Sequence, residues 1–472
     1  MGRTCPLGPR DWCFGLALGQ RLRTRTLELM TDLARNYGDL AYFRLGPFLV
    51  YSVNHPALVR EVLVTKAKQF PKVARSTRVL SQFDGQGLAV SQGDFWLRQR
   101  RLTQPAFHSR RLDRYAEITV EFTRRRMERW CPGVVCNVAD EMTHLAIEVI
   151  AKALFDVEVA DQVDQLGEAI SIFSETLFRE ISSPFTLPDW LPLPAKRRKR
   201  WAIQTVDTVI RDIIRARRAT GEDKGDLLSM LLLAVDDTGN GAGMTDEQAR
   251  DEAVTLFRAG HDTTAAGLAW TWYLLALHPE VEARLLQEVD AVLQSRPATY
   301  ADLPRLRFTE MVVKESLRLY PPVWALFGRE ASTEVELGGF VLPRGAQVLI
   351  LPWGIHRNPR FFDDAERFDP DRFGPDRIGN LTPDAYVPFG LGPHLCIGAS
   401  FATMQMVLTV ATVLQRFRLT LAPGQGTVEP EPHVAIRPKG GLHMVPASHT
   451  PDQKRDIGLG AERGTAADRP RE

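Results

Sequence analysis

The residues best suited to chemistry lie near the C-terminal end of the chain. The run Phe389-Gly-Leu-Gly-Pro-His394-Leu-Cys396-Ile-Gly398 sets a single cysteine in a glycine-rich loop ahead of a stretch that reads as a helix. Backbone N–H groups and the dipole at a helix start favour thiolate over thiol, which predicts a Cys396 pKa below the value of about 8.5 of a free cysteine. A stable thiolate is an iron ligand. Gly390, Gly392 and Gly398 would let the backbone approach a flat ring, and His394 lies within reach of a carboxylate on that ring. A buried cysteine in a turn would account for Cys396 alone, so the upstream residues decide.

Those residues form further local patterns. Glu315-Ser-Leu-Arg318 has the i,i+3 spacing of a helix-surface pair, worth a few tenths of a kcal/mol if exposed and about 3–5 kcal/mol per lost partner if buried. Pro370-Asp-Arg372-Phe373, Trp96-x-x-x-Arg100 and Arg329 each place an arginine, whose permanent charge and forked donors suit a carboxylate.

Taken in order, these motifs resemble the cytochrome P450 superfamily, whose ligand motif Phe-x-x-Gly-x-(His/Arg)-x-Cys-x-Gly is complete here. The resemblance implies a mainly α fold with small β-sheets, holding haem b between a long central helix and the Cys-loop helix. Cys396 would ligate the iron, with Phe389, Gly390, Gly398, Ala259 and Gly260 lining the cofactor. Trp96, Arg100, Arg329 and His394 would meet its propionates, and Glu315, Arg318 and Arg372 would form a buried network under the meander. The family's usual Pro-Glu-Arg-Phe is Pro-Asp-Arg-Phe here, which leaves Arg372 available.

In Ala259-Gly260-His261-Asp262-Thr263-Thr264 the resemblance places the oxygen-binding groove. Gly in mid-helix costs about 1 kcal/mol against Ala, and space over the iron would be the reason. Asp262 and Thr263 would deliver the protons that O–O cleavage needs, although alone they read as a solvated acid and a back-bonded hydroxyl. The implied activity is insertion of one atom of dioxygen into an apolar organic substrate, by hydroxylation or epoxidation. Leu88, Ala89, Val90, Phe257, Ala259, Val323, Trp324, Ala325, Leu326 and Val434 fall where the family contacts substrate, and all are equally good core residues. The alternatives are isomerase, dehydratase or peroxygenase chemistry on the same scaffold, against which the intact Asp262-Thr263 pair speaks, and a non-catalytic haem carrier or gas sensor.

The elements that must position these residues are legible from periodicity. A helix is predicted over 21–36, a hairpin over 40–52 turning at Gly46-Pro47, a helix over 56–65 and a glycine-rich loop over 84–93. From there to Leu319 the chain reads as helical, with breaks at 132–133, 184–194, 221–225 and 238–243. The longest helix should start at Thr245, where Gln248 completes a capping box, and run to His278-Pro279. Its apolar second half reads as a buried helix or a membrane span, and its short length favours burial. Strands over 334–342 and 346–351 joined at Pro343-Arg-Gly345, a meander over 358–388 and a last helix over 397–417 complete the pattern. A single catalytic domain is expected over 21–448, with a flexible lead-in at 1–20 and a disordered tail at 449–472.

The whole chain sets limits on partners. Its 472 residues are 44% apolar and 25% charged, enough to enclose a cofactor, and its 59 basic and 58 acidic residues give no general attraction to nucleic acid. Cys5, Cys13, Cys131, Cys136 and Cys396 are scattered, which argues against a disulfide framework and fits a reducing cytoplasm. Cys131 and Cys136 lack the two further ligands that zinc would need. The apolar piece at 12–18 is far shorter than the roughly 20 residues of a membrane span, so no anchor is expected. Trp190-Leu-Pro-Leu-Pro194 before Lys196-Arg-Arg-Lys-Arg200 reads as a solvated face or as a lid touching a membrane surface. With no flavin or iron–sulfur segment in view, electrons would come from a separate ferredoxin or flavodoxin with its reductase, docking at Arg98, Arg101, Arg110 and Arg111 of a monomer.

Overall fold

The computed structural model describes residues 5–9, 15–183, 186–233 and 243–449. Its axis is the helix Asp246–Leu277, 32 residues long. Thr245 caps it as expected: its hydroxyl accepts from Gln248 N at 3.2 Å, and Gln248 Oε1 accepts from Thr245 N at 3.2 Å. Helices Val138–Phe155, Arg307–Leu319, Ala399–Leu414 and Pro194–Thr220 pack around it. Trp270 and Trp272 on its apolar half are wholly enclosed. Among the described residues no helix is long and apolar enough to cross a membrane.

The predicted hairpin forms from Leu40–Leu45 and Phe48–Val53, with Leu45 opposite Phe48 across Gly46-Pro47. Gln347–Ile350 adds parallel to its second strand, and Arg329–Glu330 adds antiparallel beyond that. Near the C-terminus, His443–Ser448 pairs with both Phe417–Leu421 and Cys136–Asn137. A hairpin of Pro430–Pro432 and Ile436–Pro438 carries residues 433–435 at its tip.

Several expectations change. The segment 334–342 is itself a hairpin, Val335–Leu337 with Phe340–Leu342, turned at Gly338 and Gly339 with φ of 58° and 79°. The 21–36 helix is divided at Arg25, where φ is −143°, into Leu16–Thr24 and Thr26–Asn36. Leu16–Thr24 overlaps the segment expected to be a flexible lead-in, and Leu18 in it is buried. Tyr42 N also donates to Leu7 O at 2.9 Å, so residue 7 is tied to the sheet. Helix Pro56–Arg60 continues in a wider turn, Glu61–Thr65, and helix Ala74–Asp84 was not anticipated. The last helix is shorter than expected, Ala399–Leu414. Residues 450–472, Pro184 and most of the break at 238–243 lie outside the described residues.

Among the described residues two apolar cores result. The larger gathers the helices, and the smaller lies under the first sheet around Val53, Leu337, Val348 and Phe362. Phe389 and Ile397 pack on the larger and Leu391 on the smaller, so the Cys396 loop sits where the two meet.

Candidate active site

The Cys396 loop is closed by its own backbone. Gly390 N donates to Val387 O at 3.1 Å, Leu395 N to Gly392 O at 3.0 Å and Cys396 N to Phe389 O at 3.0 Å. Gly392 has φ of +74°, and a Cβ there would lie 2.2 Å from Leu63 O, so both backbone conformation and close approach demand glycine. Cys396 keeps accessible surface although protein surrounds it. Burial pushes its thiol up, while the Gly398 N–H and Arg100 pull the other way without prevailing. This corrects the expected lowering: the chain alone prepares the thiolate only in part, and coordination would complete the deprotonation.

Around the loop lies a cationic shell. Trp96 packs on His394 with ring centres 4.1 Å apart, and Arg100 Nη1 donates to Leu395 O at 2.9 Å. Arg329 is 7% exposed, and its guanidinium finds no carboxylate or other acceptor among the described residues; burial lowers its pKa to about 10. Lys72, which the sequence did not single out, forms a β-bridge with Arg329 and is lowered to about 7 by burial and by that neighbour. Burial and the charges of Lys72, Arg329 and Arg100 push His394 down to about 3. A buried, unpaired guanidinium is costly unless an anion meets it. A haem, with an iron for the thiolate and two carboxylates for this shell, fits the residues present.

Between Ala249 and Leu275 the long helix is buried except at Ala259, which is exposed, and at Gly260 and Thr263, which are half-buried. Ala259 and Thr263 are one turn apart and share a face, where Thr263 Oγ1 donates to Ala259 O at 2.8 Å. Gly260 carries a constraint beyond the one expected. A Cβ there would come 2.6 Å from Ile150 Cδ1, so it admits the neighbouring helix Val138–Phe155. Phe257 also departs from expectation: it packs on Phe155 at 6.2 Å and His261 at 5.8 Å, on another side of the helix from Ala259.

Asp262 is buried and fully engaged. Arg437 donates to Oδ1 from Nη2 at 2.6 Å and from Nε at 3.1 Å, and Ser174 Oγ donates to Oδ2 at 2.9 Å. Arg437 Nη1 reaches Ser171 Oγ at 2.8 Å. Burial alone would raise the Asp262 carboxyl, but Arg437 and His261 outweigh it and hold it below its ordinary value. Nothing local in the sequence signalled Arg437, Ser171 or Ser174 as partners of this acid.

Beneath the loop, Glu315 and Arg318 are wholly buried. Arg318 donates to both Glu315 oxygens at 2.7 and 2.8 Å and to the carbonyls of His356, Ala365 and Arg367 at 2.7, 2.6 and 3.0 Å. Arg372 Nε joins Glu315 at 3.3 Å. Asp371, the departure from the usual motif, faces outward to Arg284 at 2.8 and 2.9 Å and leaves this network alone. His356 was also missed: it lies 3.2 Å from Arg318 O through Nδ1 and accepts from Val387 N at 3.0 Å through Nε2. It thereby connects the network to the residues leading into the Cys396 loop.

Of the expected substrate contacts, Leu88, Val90 and Trp324 are buried, while Ala89, Val323, Ala325, Leu326 and Val434 are half-buried. Trp324 Nε1 donates to His433 O at 2.9 Å, and Phe178 meets Trp324 edge-on at 6.0 Å, joining helix Val163–Ser182 to the C-terminal hairpin. The basic segment before 200 is less free than its sequence suggests. Lys196 and Lys199 are buried against Glu180 and Asp189, at 2.6 Å to each from Lys196 and 2.8 and 2.9 Å from Lys199. Trp190, 76% exposed, and Arg197 and Arg198 face outward.

The chain is similar to known proteins over most of its length. The cytochrome P450 family model matches residues 6–445. Cyclooctat-9-en-7-ol 5-monooxygenase of Streptomyces melanosporofaciens is 38% identical, over 88% of this chain and 91% of that one. Pentalenene oxygenase of Streptomyces avermitilis is 34% identical, over 92% and 95%. The crystal structure of the cytochrome P450DA heme domain superposes with a TM-score of 0.84 at 26% identity, covering 95% of this chain and 98% of that one. The chain therefore belongs to the cytochrome P450 family and is a haem-thiolate monooxygenase.

Proposed function

We propose that Cys396 is the iron ligand of a haem b and that Arg329, Arg100, Trp96 and His394 hold its propionates, with Phe389, Gly390, Gly398, Ala259 and Gly260 around the ring. The observation that carries this reading is the buried Arg329 guanidinium without an acceptor, close to His394 and its neighbours. Bound there, haem supplies the activation of dioxygen. The chain's own work is to exclude water, orient the substrate and deliver protons. Thr263 holds its hydroxyl on the accessible helix face, and Asp262, kept charged by Arg437, is the acid behind it. Glu315, Arg318 and Arg372 fix the meander that carries the loop.

The substrate class we infer is an apolar terpenoid, met by Leu88, Ala89, Val90, Val323, Trp324, Leu326 and Val434. Apolar side chains at these positions support it, as do the terpenoid names of the two Streptomyces relatives. Phe257 instead faces Phe155 of helix Val138–Phe155. Electrons come from a separate ferredoxin or flavodoxin with its reductase; exposed Arg101 and Arg110, beside exposed Phe95, Leu97 and Leu395, form a face suited to an acidic partner. Residues 16–448, helix Leu16–Thr24 included, act as one catalytic domain of a monomeric cytoplasmic enzyme.

The test is turnover of a panel of terpene hydrocarbons and terpene alcohols with a surrogate ferredoxin pair. Hydroxylated or epoxidised product in proportion to electrons consumed is expected. Haem binding without oxygenated product from any terpenoid, but with product from fatty acids, would overturn the substrate reading.

A further inference from the structure

Lys72 and Glu252 are buried ionisable residues with no part in oxygen chemistry. Both act on the loop 85–92, which joins helices Ala74–Asp84 and Gly93–Thr103. Lys72 Nζ donates to Leu88 O at 3.1 Å, Ala89 O at 2.9 Å and Ser91 O at 3.0 Å, while Lys72 N donates to Gln92 Oε1 at 2.8 Å. From the opposite side, Glu252 Oε2 accepts from Leu88 N at 3.0 Å and Asp251 Oδ2 from Gln86 N at 2.7 Å. Leu88 is thus held through its N–H by one buried residue and through its C=O by another.

The loop lies directly on the long helix. A Cβ on Gly85 would come 2.1 Å from Asp251 Oδ1, and one on Gly87 2.1 Å from Thr255 Oγ1. An ammonium suits this place because its three donors diverge to three carbonyls, which the flat fork of an arginine cannot match. Burying such groups is unfavourable, and burial shifts both residues toward their neutral forms, Lys72 down to about 7 and Glu252 up to about 8. Apolar packing would hold a merely structural loop at lower cost. What hydrogen-bonding anchors add is a fixed backbone trajectory for Leu88, Ala89 and Val90.

We propose that Lys72 and Glu252 are positioning residues that clamp Leu88–Val90 against the site and thereby set which carbon of the substrate is oxidised. This rests on the reading that Leu88–Val90 touch substrate. The test uses haem-loaded full-length protein and reads deuterium exchange of amides 86–91 together with product distribution on one terpenoid. Lys72→Met and Glu252→Ala should speed exchange on the order of tenfold and broaden the product distribution. Glu252→Gln, which still offers an acceptor to Leu88 N, should restore both. Unchanged exchange in both Lys72→Met and Glu252→Ala removes the clamp, and faster exchange with an unaltered product distribution removes its role in selectivity. Leu88→Ala and Val90→Ala test the underlying reading separately: if neither alters substrate affinity, the loop does not touch substrate and the proposal fails with that reading.

Discussion

Arg437 donates two hydrogen bonds to the Asp262 carboxylate across a separation of 175 residues, so the C-terminal hairpin holds the charge of an acid on the central helix. Removing the cation strands a buried carboxylate. Arg437→Met should cost about 2–3 kcal/mol in denaturant unfolding, below the ~3–5 of a fully enclosed pair because Arg437 is 28% exposed. Arg437→Lys should recover part of the loss. A change under about 0.5 kcal/mol would show that the pair does not hold the hairpin.

Asp262→Ala and Thr263→Ala should leave haem bound but divert reducing equivalents into peroxide. Product formed per electron pair is the measurement. Unchanged coupling in both variants would take proton delivery away from these residues.

Arg329→Met should act in opposite directions on two forms of the protein. Without haem it removes a buried unpaired charge and should raise stability by about 1 kcal/mol; with haem it should speed cofactor loss. Denaturation of the haem-free protein and haem transfer to an acceptor globin measure the two. Equal effects on both forms would contradict the propionate assignment.

His356 predicts an acid limit. Its Nδ1 faces Arg318 O and its Nε2 accepts from Val387 N, so the ring must be neutral, and burial lowers its pKa to about 3 from the ordinary 6.5. The unfolded chain takes up that proton as pH falls below about 6.5 while the fold refuses it. The stabilisation is therefore complete above about 6.5, declines on acidification and is gone below about 3. Buried His261, lowered to about 4, adds loss in the same direction. Stability followed against pH should fall through this window, and His356→Gln should flatten the fall; the same slope in that variant would exclude His356 as its source.

Much of the fold was legible because its signals are local. The Thr245 and Gln248 cap, the Gly46-Pro47 turn and the Cys396 loop each depend on residues a few positions apart. The Glu315, Arg318 and Arg372 pattern was legible too, although only the structure gives its burial. Long-range electrostatics was not legible. Arg437 on Asp262, Lys72 on the 85–92 loop and His356 on Val387 join segments whose sequences carry no mark of one another. The direction of the Cys396 shift was not legible, because the helix-start donors are visible in sequence and the desolvation that outweighs them is not. The packing of Gly260 against Ile150 was not legible because Ile150 comes from another helix.

The central claim is the bond from the Cys396 sulfur to iron. The direct measurement is the absorption spectrum of the reduced, carbon monoxide-treated protein, taken for the natural chain and for Cys396→Ser. A strongly red-shifted Soret band in the first and its loss in the second are expected. A natural chain without that band, or a variant that keeps it, would contradict the account.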